Sequence, residues 1–467
     1  MSFAKKFENV FRSILPSPFT IAVLLTFLTF ILALIFTENS EKGSHFFNLL
    51  SYWENGIWGG WEESMKEPKK DNNLLIFAFQ MMLMLVLGHA LALTKSVNSL
   101  IEKVTRYCNN TANAAAIISF LTIIVSLFNW GLGLIFGAIF ARKVGEHASK
   151  KNIKLNYPLI GAAGYSGMMV WHGGLSGSAP IKVAEQGHLS SLLSNSDFSF
   201  PYMISLSETI FSNMNLVISS LLLLILPIGL YFIGKRNQGK LISISSEEIE
   251  LESTKFDGAE KLDHSKILAY FLSFIILGYC FYKAFLLPEI PSLSVINPNF
   301  INLALLGMGL LLHSSFFNFT KAVSSAISGA AGILIQFPLY FGIMGIMKDS
   351  GMVSIMSDFF VTISNETTFP IFTFISAGIV NIFVPSGGGQ WAIQGPIIME
   401  AASNLGVSFN KSIMALAYGD QLTNMLQPFW ALPLLGITGL KAKEILPYTL
   451  YLFLMGMVIF IGGLLLF

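Results

Sequence analysis

Charged side chains are scarce. Asp, Glu, Lys and Arg make up 12% of the 467 residues, about half of what a soluble globular chain carries. They sum to only +1 with histidine neutral, so no surplus of one sign points to a nucleic-acid or acidic partner. Cysteine is nearly absent as well. Cys108 and Cys280 lie in unrelated segments, which excludes a disulfide framework and a cysteine metal motif and leaves two inert buried thiols as the expectation. No nucleophile, base and orienting residue stand at a recognised catalytic spacing, and there is no zinc motif, so neither an enzyme nor a cofactor is expected.

Apolar sequence fills the chain instead: 53% of it is hydrophobic and the mean hydropathy is +0.65. Nine runs are long enough to cross a hydrocarbon core of about 30 Å. They are Ser17 to Thr37, Leu74 to Thr94, Tyr157 to Lys182, Tyr202 to Gly234, Ile267 to Leu287, Asn299 to Phe319, Ser325 to Met347, Ser412 to Leu440 and Ile445 to Phe467. The first follows Lys5, Lys6 and Arg12, but it is too long for an export signal and no small-residue cleavage site follows it. The expected class is an all-α polytopic membrane protein in a lipid bilayer.

Two further runs, Thr111 to Ala141 and Thr368 to Ala402, are too long for one crossing and break in the middle, at "FNWGLG" and "VPSGGG". Lys95, Lys103 and Arg106 precede the first, and Arg142, Lys143, Lys150, Lys151 and Lys154 follow it, so the positive-inside rule puts both its ends in the cytoplasm. Arms of about 15 residues reach only about 22 Å, which favours a re-entrant hairpin. Each hairpin is followed by a span that is itself interrupted, at "WHGGLSGSAP" and at "GDQLTNMLQPFWALP". From a polar linker at Ile242 to Ser265 the order repeats from the opposite face, with acidic Asp349, Asp358 and Glu366 flanking the second hairpin and Lys441 and Lys443 marking the return. The expected organisation is therefore two inverted repeats with about nine spanning helices and two hairpins. Residues 1–234 form the first repeat (hairpin 111–147, broken helix 157–187), 235–298 a cytoplasmic linker and connecting helix, and 299–467 the second (hairpin 366–405, broken helix 411–440). The N-terminus is then cytoplasmic and the C-terminus external. Repeats of this kind with interrupted helices belong to secondary transporters, whose sites lie near mid-membrane.

Irregular backbone at membrane depth must be satisfied by protein or by a water-filled cavity. Gly387, Gly388 and Gly389 allow unusual φ values and bare their N–H groups, and the arm starting near Gln390 brings a helix N-terminus to the same place, a combination suited to an anion. The expected substrate site is Ser386, Gly387, Gly388, Gly389, Gln390 and Trp391 from the second half with Asn129, Gly131, Gly133 and His172 from the first. Oxygens freed at the breaks suit a small hard cation: Asp420, Thr423, Asn424 and Gln427 in one half, Ser166, Ser176 and Ser178 in the other. Small polar residues also simply pack helices. Asp420 stands out as an acid within an apolar span, which either binds the cation, carries a proton or caps a local turn. His89 and His313 read as neutral core histidines. Trp130, Trp171, Trp391, Phe429 and Trp430 flank the tips and breaks, while Trp53, Trp58 and Trp61 read as interfacial anchors.

At "VPSGGGQWAIQGP", "YGDQLTNMLQPFWALP" and "NWGLG" the chain resembles the bacterial short-chain fatty acid transporter family, and the likeness runs its whole length. The resemblance implies uptake of monocarboxylates such as butyrate or acetoacetate across the inner membrane, within an ion-transporter superfamily whose members often form homodimers and work by an elevator motion. The tips lack the Ser-Asn-Thr pattern of that superfamily's dicarboxylate carriers, leaving a dicarboxylate or other small organic anion as the alternative cargo. Cation symport is expected, with sodium at the cation-binding residues or a proton as the coupling ion.

Overall fold

The computed structural model describes residues 16–39, 43–59, 74–189, 200–244, 258–287 and 297–467. Lys5, Lys6, Arg12, Trp61 and the middle of the expected linker lie outside the described residues. Within them the chain is helical, with no strand beyond an isolated bridge between Leu155 and Lys240.

The helices in the first half are α1 (Pro18–Phe36), α2 (His45–Glu54), α3 (Leu74–Ala92), α4 (Lys95–Thr105), α5 (Thr111–Phe128), α6 (Trp130–Lys150), α7 (Tyr157–Tyr165), α8 (Ala179–Lys182) and α9 (Asn213–Arg236). The second half has α10 (Glu260–Asp263), α11 (Lys266–Phe281), α12 (Pro298–His313), α13 (Phe316–Ala326), α14 (Ala331–Asp349), α15 (Met352–Thr362), α16 (Phe369–Phe383), α17 (Gly387–Leu405), α18 (Phe409–Thr423), α19 (Pro428–Thr438) and α20 (Ala442–Leu466). Seven stretches among the described residues are long and apolar enough to cross a membrane. Their outward faces are studded with exposed Leu, Ile, Val and Phe, as at Leu24, Ile31, Phe271 and Val458, which suits lipid rather than water.

Three expectations need correcting. The run from Tyr202 becomes helical only at Asn213, where Ser212 accepts a hydrogen bond from Asn215 N–H; the residues before it are turns. Asn299 to Phe319 is not one span: α12 stops at His313 because Ser314 turns left-handed (φ 60°), and Ser315 caps a separate helix, α13. The hairpin arms are also longer than expected. α5 and α6 have 18 and 21 residues, about 27 and 31 Å. Only the first 12 residues of α6, Trp130 to Ala141, are apolar; the charged turns from Arg142 onward lengthen it.

The breaks fall where the sequence places them. α5 and α6 are joined by Asn129 alone, whose side chain caps the new helix through Leu132 N–H at 3.0 Å. Val384 and Pro385 end α16, and Ser386 starts α17 by accepting from Gly389 N–H at 3.2 Å. α16 packs along α18, α5 against α9 and α6, and α6 against α7. The closest crossings need glycine: a Cβ on Gly137 would fall on the Gly164 carbonyl, and one on Gly419 on the Phe374 carbonyl.

Candidate functional site

The two interrupted helices meet at the centre. After Tyr165 the first loosens into 3₁₀ turns at Ser166–Met169 and Trp171–Gly173; after Thr423 the second passes through Asn424–Leu426 and an extended Gln427 before Pro428 restarts it. Each break leaves backbone groups without helical partners, and side chains of other elements, two of them from the other half, supply them. Gln421 Oε1 accepts from His172 N–H at 2.9 Å, and Tyr165 donates its hydroxyl to the Asn424 carbonyl at 2.9 Å. Asn215 donates to the Gly173 carbonyl at 2.8 Å and is itself held by the Tyr418 hydroxyl at 3.0 Å.

His172 and Asp420 face each other across this junction. The imidazole Nε2 accepts from Ala179 N–H at 3.1 Å, so the neutral ring carries its hydrogen on Nδ1. That nitrogen lies 3.7 Å from Asp420 Oδ2, too far for a hydrogen bond, and neither atom has another partner although both side chains are essentially inaccessible. Trp171 stacks on the ring at 4.4 Å and fixes its plane.

Beside Asp420 lies an oxygen-rich cluster around a residue that sequence reasoning missed, Asn381 near the end of α16. Three oxygens stand 2.8 to 2.9 Å from its Nδ2: the Asp420 carbonyl, Thr423 Oγ1 and Asn424 Oδ1. A carboxamide has two hydrogens, so one oxygen goes unserved. Asn381 Oδ1 and Gln427 Oε1 are buried without partners, and Gln427 Nε2 holds the Asn381 carbonyl at 2.5 Å. Such a concentration of neutral oxygens near one carboxylate is chemistry suited to a small hard cation. Its signal was available, a lone carboxamide in the apolar run "FISAGIVNIFV". No group of three or more His, Cys, Asp or Glu that could hold a transition metal occurs among the described residues.

The remaining expected residues divide by location. Gly387 does sit at the junction: a Cβ there would lie 2.8 Å from Trp171 Cη2 and 3.0 Å from both His172 Cε1 and Ser178 Oγ. Gly388 faces open space, with no atom within 4 Å. The expectation of unusual φ at Gly387, Gly388 and Gly389 is corrected, since all three belong to the first turn of α17 and none has positive φ. Gly387 serves close approach rather than backbone freedom. Gln390 turns away into the hairpin, donating to the Ala377 carbonyl and Gln394. Trp391 donates its indole N–H to His188 Nε2 at 3.0 Å, tying α17 to the loop after the first break; His188 also escaped the sequence reading.

In the first half, Asn129 caps α6, Gly131 lies under Met84, and Gly133 packs on Ser126 of the opposite arm. Ser176 accepts from Trp130 N–H at 2.9 Å, and Ser166 pairs with Ser119 at 2.9 Å. Trp130 meets Trp430 edge-on at 5.1 Å, bringing the first tip to the second break as Gly387 brings the second tip to the first. A hollow of about 290 Å³ lies beside the first break, lined by Leu127, Phe128, Gly173, Gly174 and Asn215 among others. His313 is a core histidine bonded to the Ala90 carbonyl at 2.8 Å. Burial pushes the Cys108 thiol, in the loop before α5, up to about 12, in keeping with an inert cysteine.

Long apolar helices around two interrupted ones define a polytopic α-helical membrane protein whose polar centre is built from helix breaks. The short chain fatty acid transporter family matches residues 3–467, and the chain belongs to that family, whose members are transporters and not enzymes. Relatives carrying the short-chain fatty acid transporter name include one from Escherichia coli K12, 35% identical over 97% of this chain and 96% of the relative. Another, from Haemophilus influenzae Rd, is 35% identical over 99% of each. Among solved structures, the chain is similar to the Alcanivorax borkumensis YdaH transporter, with 13% identity, 96% and 98% of the two chains covered and a TM-score of 0.45. It is also similar to Neisseria gonorrhoeae MtrF, with 14% identity, 98% and 97% covered and a TM-score of 0.36.

Proposed function

We propose that the protein is a secondary active transporter that moves short-chain monocarboxylates of the butyrate or acetoacetate kind across the bacterial inner membrane, together with a cation, by alternating access of the elevator type. Family membership supports the substrate class. The observation that carries the mechanism is the His172–Asp420 contact, in which Nδ1 of one side chain and Oδ2 of the other, from two interrupted helices, face each other at 3.7 Å and neither atom has a hydrogen-bond partner. A buried carboxylate left this way is costly, and a bound cation relieves it. Sodium would draw on Thr423, Asn424, Gln427 and Asn381 as neutral ligands, whereas a proton needs Asp420 alone. The start of α17 at Gly387, beside Cε1 of the His172 ring, offers a carboxylate the positive end of a helix.

The reading divides the chain into a first repeat at 1–234, a linker and connecting helix at 235–298 and an inverted second repeat at 299–467, with the N-terminus cytoplasmic, the C-terminus external and two copies forming a dimer. It is supported by the recurrence of element order: α3, α4, α5–α6, α7–α8, α9 is answered by α14, α15, α16–α17, α18–α19, α20. One monoanion carried with one cation moves no net charge, whereas a second cation would draw about 2.3 kcal/mol per 100 mV from the membrane potential.

Labelled butyrate uptake into proteoliposomes tests the proposal. Accumulation driven by an imposed sodium or proton gradient is expected, and flux indifferent to both gradients would refute coupling. Unlabelled anions in the same assay address the alternative cargo. A dicarboxylate would need a second anion-binding contact, and His172 is the one basic side chain among the described junction residues, so succinate is expected to compete poorly with butyrate. Strong competition by succinate would move the assignment to a dicarboxylate.

A further inference from the structure

A hollow of about 620 Å³ lies away from the junction, at the far end of α19. Its walls come from four places: the start of α1 at Ser17 and Pro18, the turn before α14 at Gly329, the last turns of α19, and the connector into α20. Among the described residues Lys441 and Lys443 line it, and no Asp or Glu does. The nearby acid, Glu444, is turned back on its own helix start, where Oε2 accepts from Lys441 N–H at 2.9 Å. Leu432 and Leu435 give the cavity an apolar side. Its floor is a backbone contact without intervening side chains, because Gly436 of α19 rests on Gly329 and a Cβ on Gly436 would strike the Gly329 carbonyl. From Gly436 the helix runs nine residues back to Gln427 at the second break, about 14 Å.

We infer that this cavity is an antechamber of the transport route, on the face bearing Lys441 and Lys443, where a short-chain carboxylate docks with its head on the two lysines and its tail on Leu432 and Leu435. The inference rests on the proposed transport of such anions and adds a site outside the polar centre. Its volume lies in the range of small-molecule pockets, and its mixed lining of ammonium and leucine matches an anion with a short hydrocarbon tail. Two like charges in an open cleft raise the local concentration of an anion, an effect that ionic strength removes: the Debye length falls from about 30 Å at 0.01 M salt to about 3 Å at 1 M.

The test is butyrate counterflow, measured separately from each face in oriented vesicles, for the wild type and the K441Q/K443Q double variant. On the lysine-bearing face the variant is expected to show a KM about 3- to 10-fold higher at 0.01 M salt, converging on the wild type at 1 M. From the opposite face the two are expected to respond to salt alike. Equal salt response of both proteins on the lysine-bearing face would overturn the inference, as would a difference of the same size on both faces. So would a difference that appears only with phosphatidylglycerol in the vesicles, which would assign the lysines to a lipid headgroup. Absence of counterflow in the wild type would instead overturn the transport reading, and this inference with it; normal counterflow with unchanged salt response overturns this inference alone.

Discussion

The substitution Gly387→Ala adds one methyl group at the point where the second tip meets the first break. That carbon would sit 2.8 Å from Trp171 Cη2 and 3.0 Å from His172 Cε1, where carbon atoms ordinarily stand about 3.5–4.0 Å apart. The rings must therefore yield by roughly 0.7 Å. They have little freedom to do so: Trp171 and His172 are stacked at 4.4 Å, buried, and pinned through Ala179 N–H and Gln421. Forced overpacking of this kind costs about 1–3 kcal/mol. If the cost falls on the state in which tip and break touch, that state loses about 5- to 150-fold in population. Gly388→Ala is the internal control, because the same methyl group one residue along meets no atom within 4 Å. The assay pairs thermal unfolding in detergent with butyrate counterflow. Gly387→Ala is expected to melt earlier and to slow counterflow, while Gly388→Ala melts no earlier than the wild type. If Gly387→Ala matches Gly388→Ala in both measurements, the tip does not seat on the Trp171–His172 face, and the junction argued above is wrong.

Asp420→Asn keeps the shape of the side chain but removes its charge, so gradient-driven accumulation of butyrate is expected to disappear while gradient-free counterflow persists; normal accumulation would remove Asp420 from coupling. Gly388→Val fills the open space at the tip and is expected to raise the KM for butyrate without lowering the melting temperature, and unaltered KM would show that the space is not used by substrate. His188 lies in the polar loop after α8, where burial and then the positive charge of Lys182 hold its pKa below the usual 6.5, with Glu185 opposing. Trp391 can donate to Nε2 only while the imidazole is neutral, so the bond is present above pH 6.5 and is lost as pH falls through the lowered value. Counterflow profiles from pH 7.5 to 5 are expected to bend on the acid side in the wild type and to flatten in His188→Gln; identical profiles would show that the bond has no part in transport.

What the sequence made legible was whatever depends on neighbours along the chain. Proline, glycine and capping side chains announce a helix break wherever they fall, and all four interruptions, at Asn129, Trp171, Ser386 and Gln427, appear where those residues stand. The same local logic missed Ser314, because a Ser-Ser pair inside an apolar run reads as a continuing span until the left-handed turn is seen. Partners from distant segments were not legible. Gly133 looked like a substrate-site residue yet packs on Ser126, and Gln390 looked like a tip residue yet bonds inward to Ala377. His188 and Trp391, 203 residues apart, share a hydrogen bond that no spacing rule anticipates. His172 and Asp420 were each conspicuous alone, but only the fold makes them a pair.

The cross-bracing of the two breaks bears on how such a molecule can move. Gln421 to His172 N–H, Tyr165 to the Asn424 carbonyl and Tyr418 to Asn215 all join the first half to the second, and all are buried. Separating the breaks would strand these groups in an apolar interior, at about 1–3 kcal/mol each. Dry separation of the two interrupted helices is therefore the expensive route. The elevator motion proposed above avoids that cost, because it would keep both breaks and both tips together and shift them as a unit against the surrounding spans, at backbone contacts such as Gly329 on Gly436. A disulfide placed between α19 and α7, which pack on each other, should then leave transport intact, whereas one placed between α19 and the turn before α14 should arrest it. Transport surviving the second cross-link would refute rigid movement of the paired breaks past that turn.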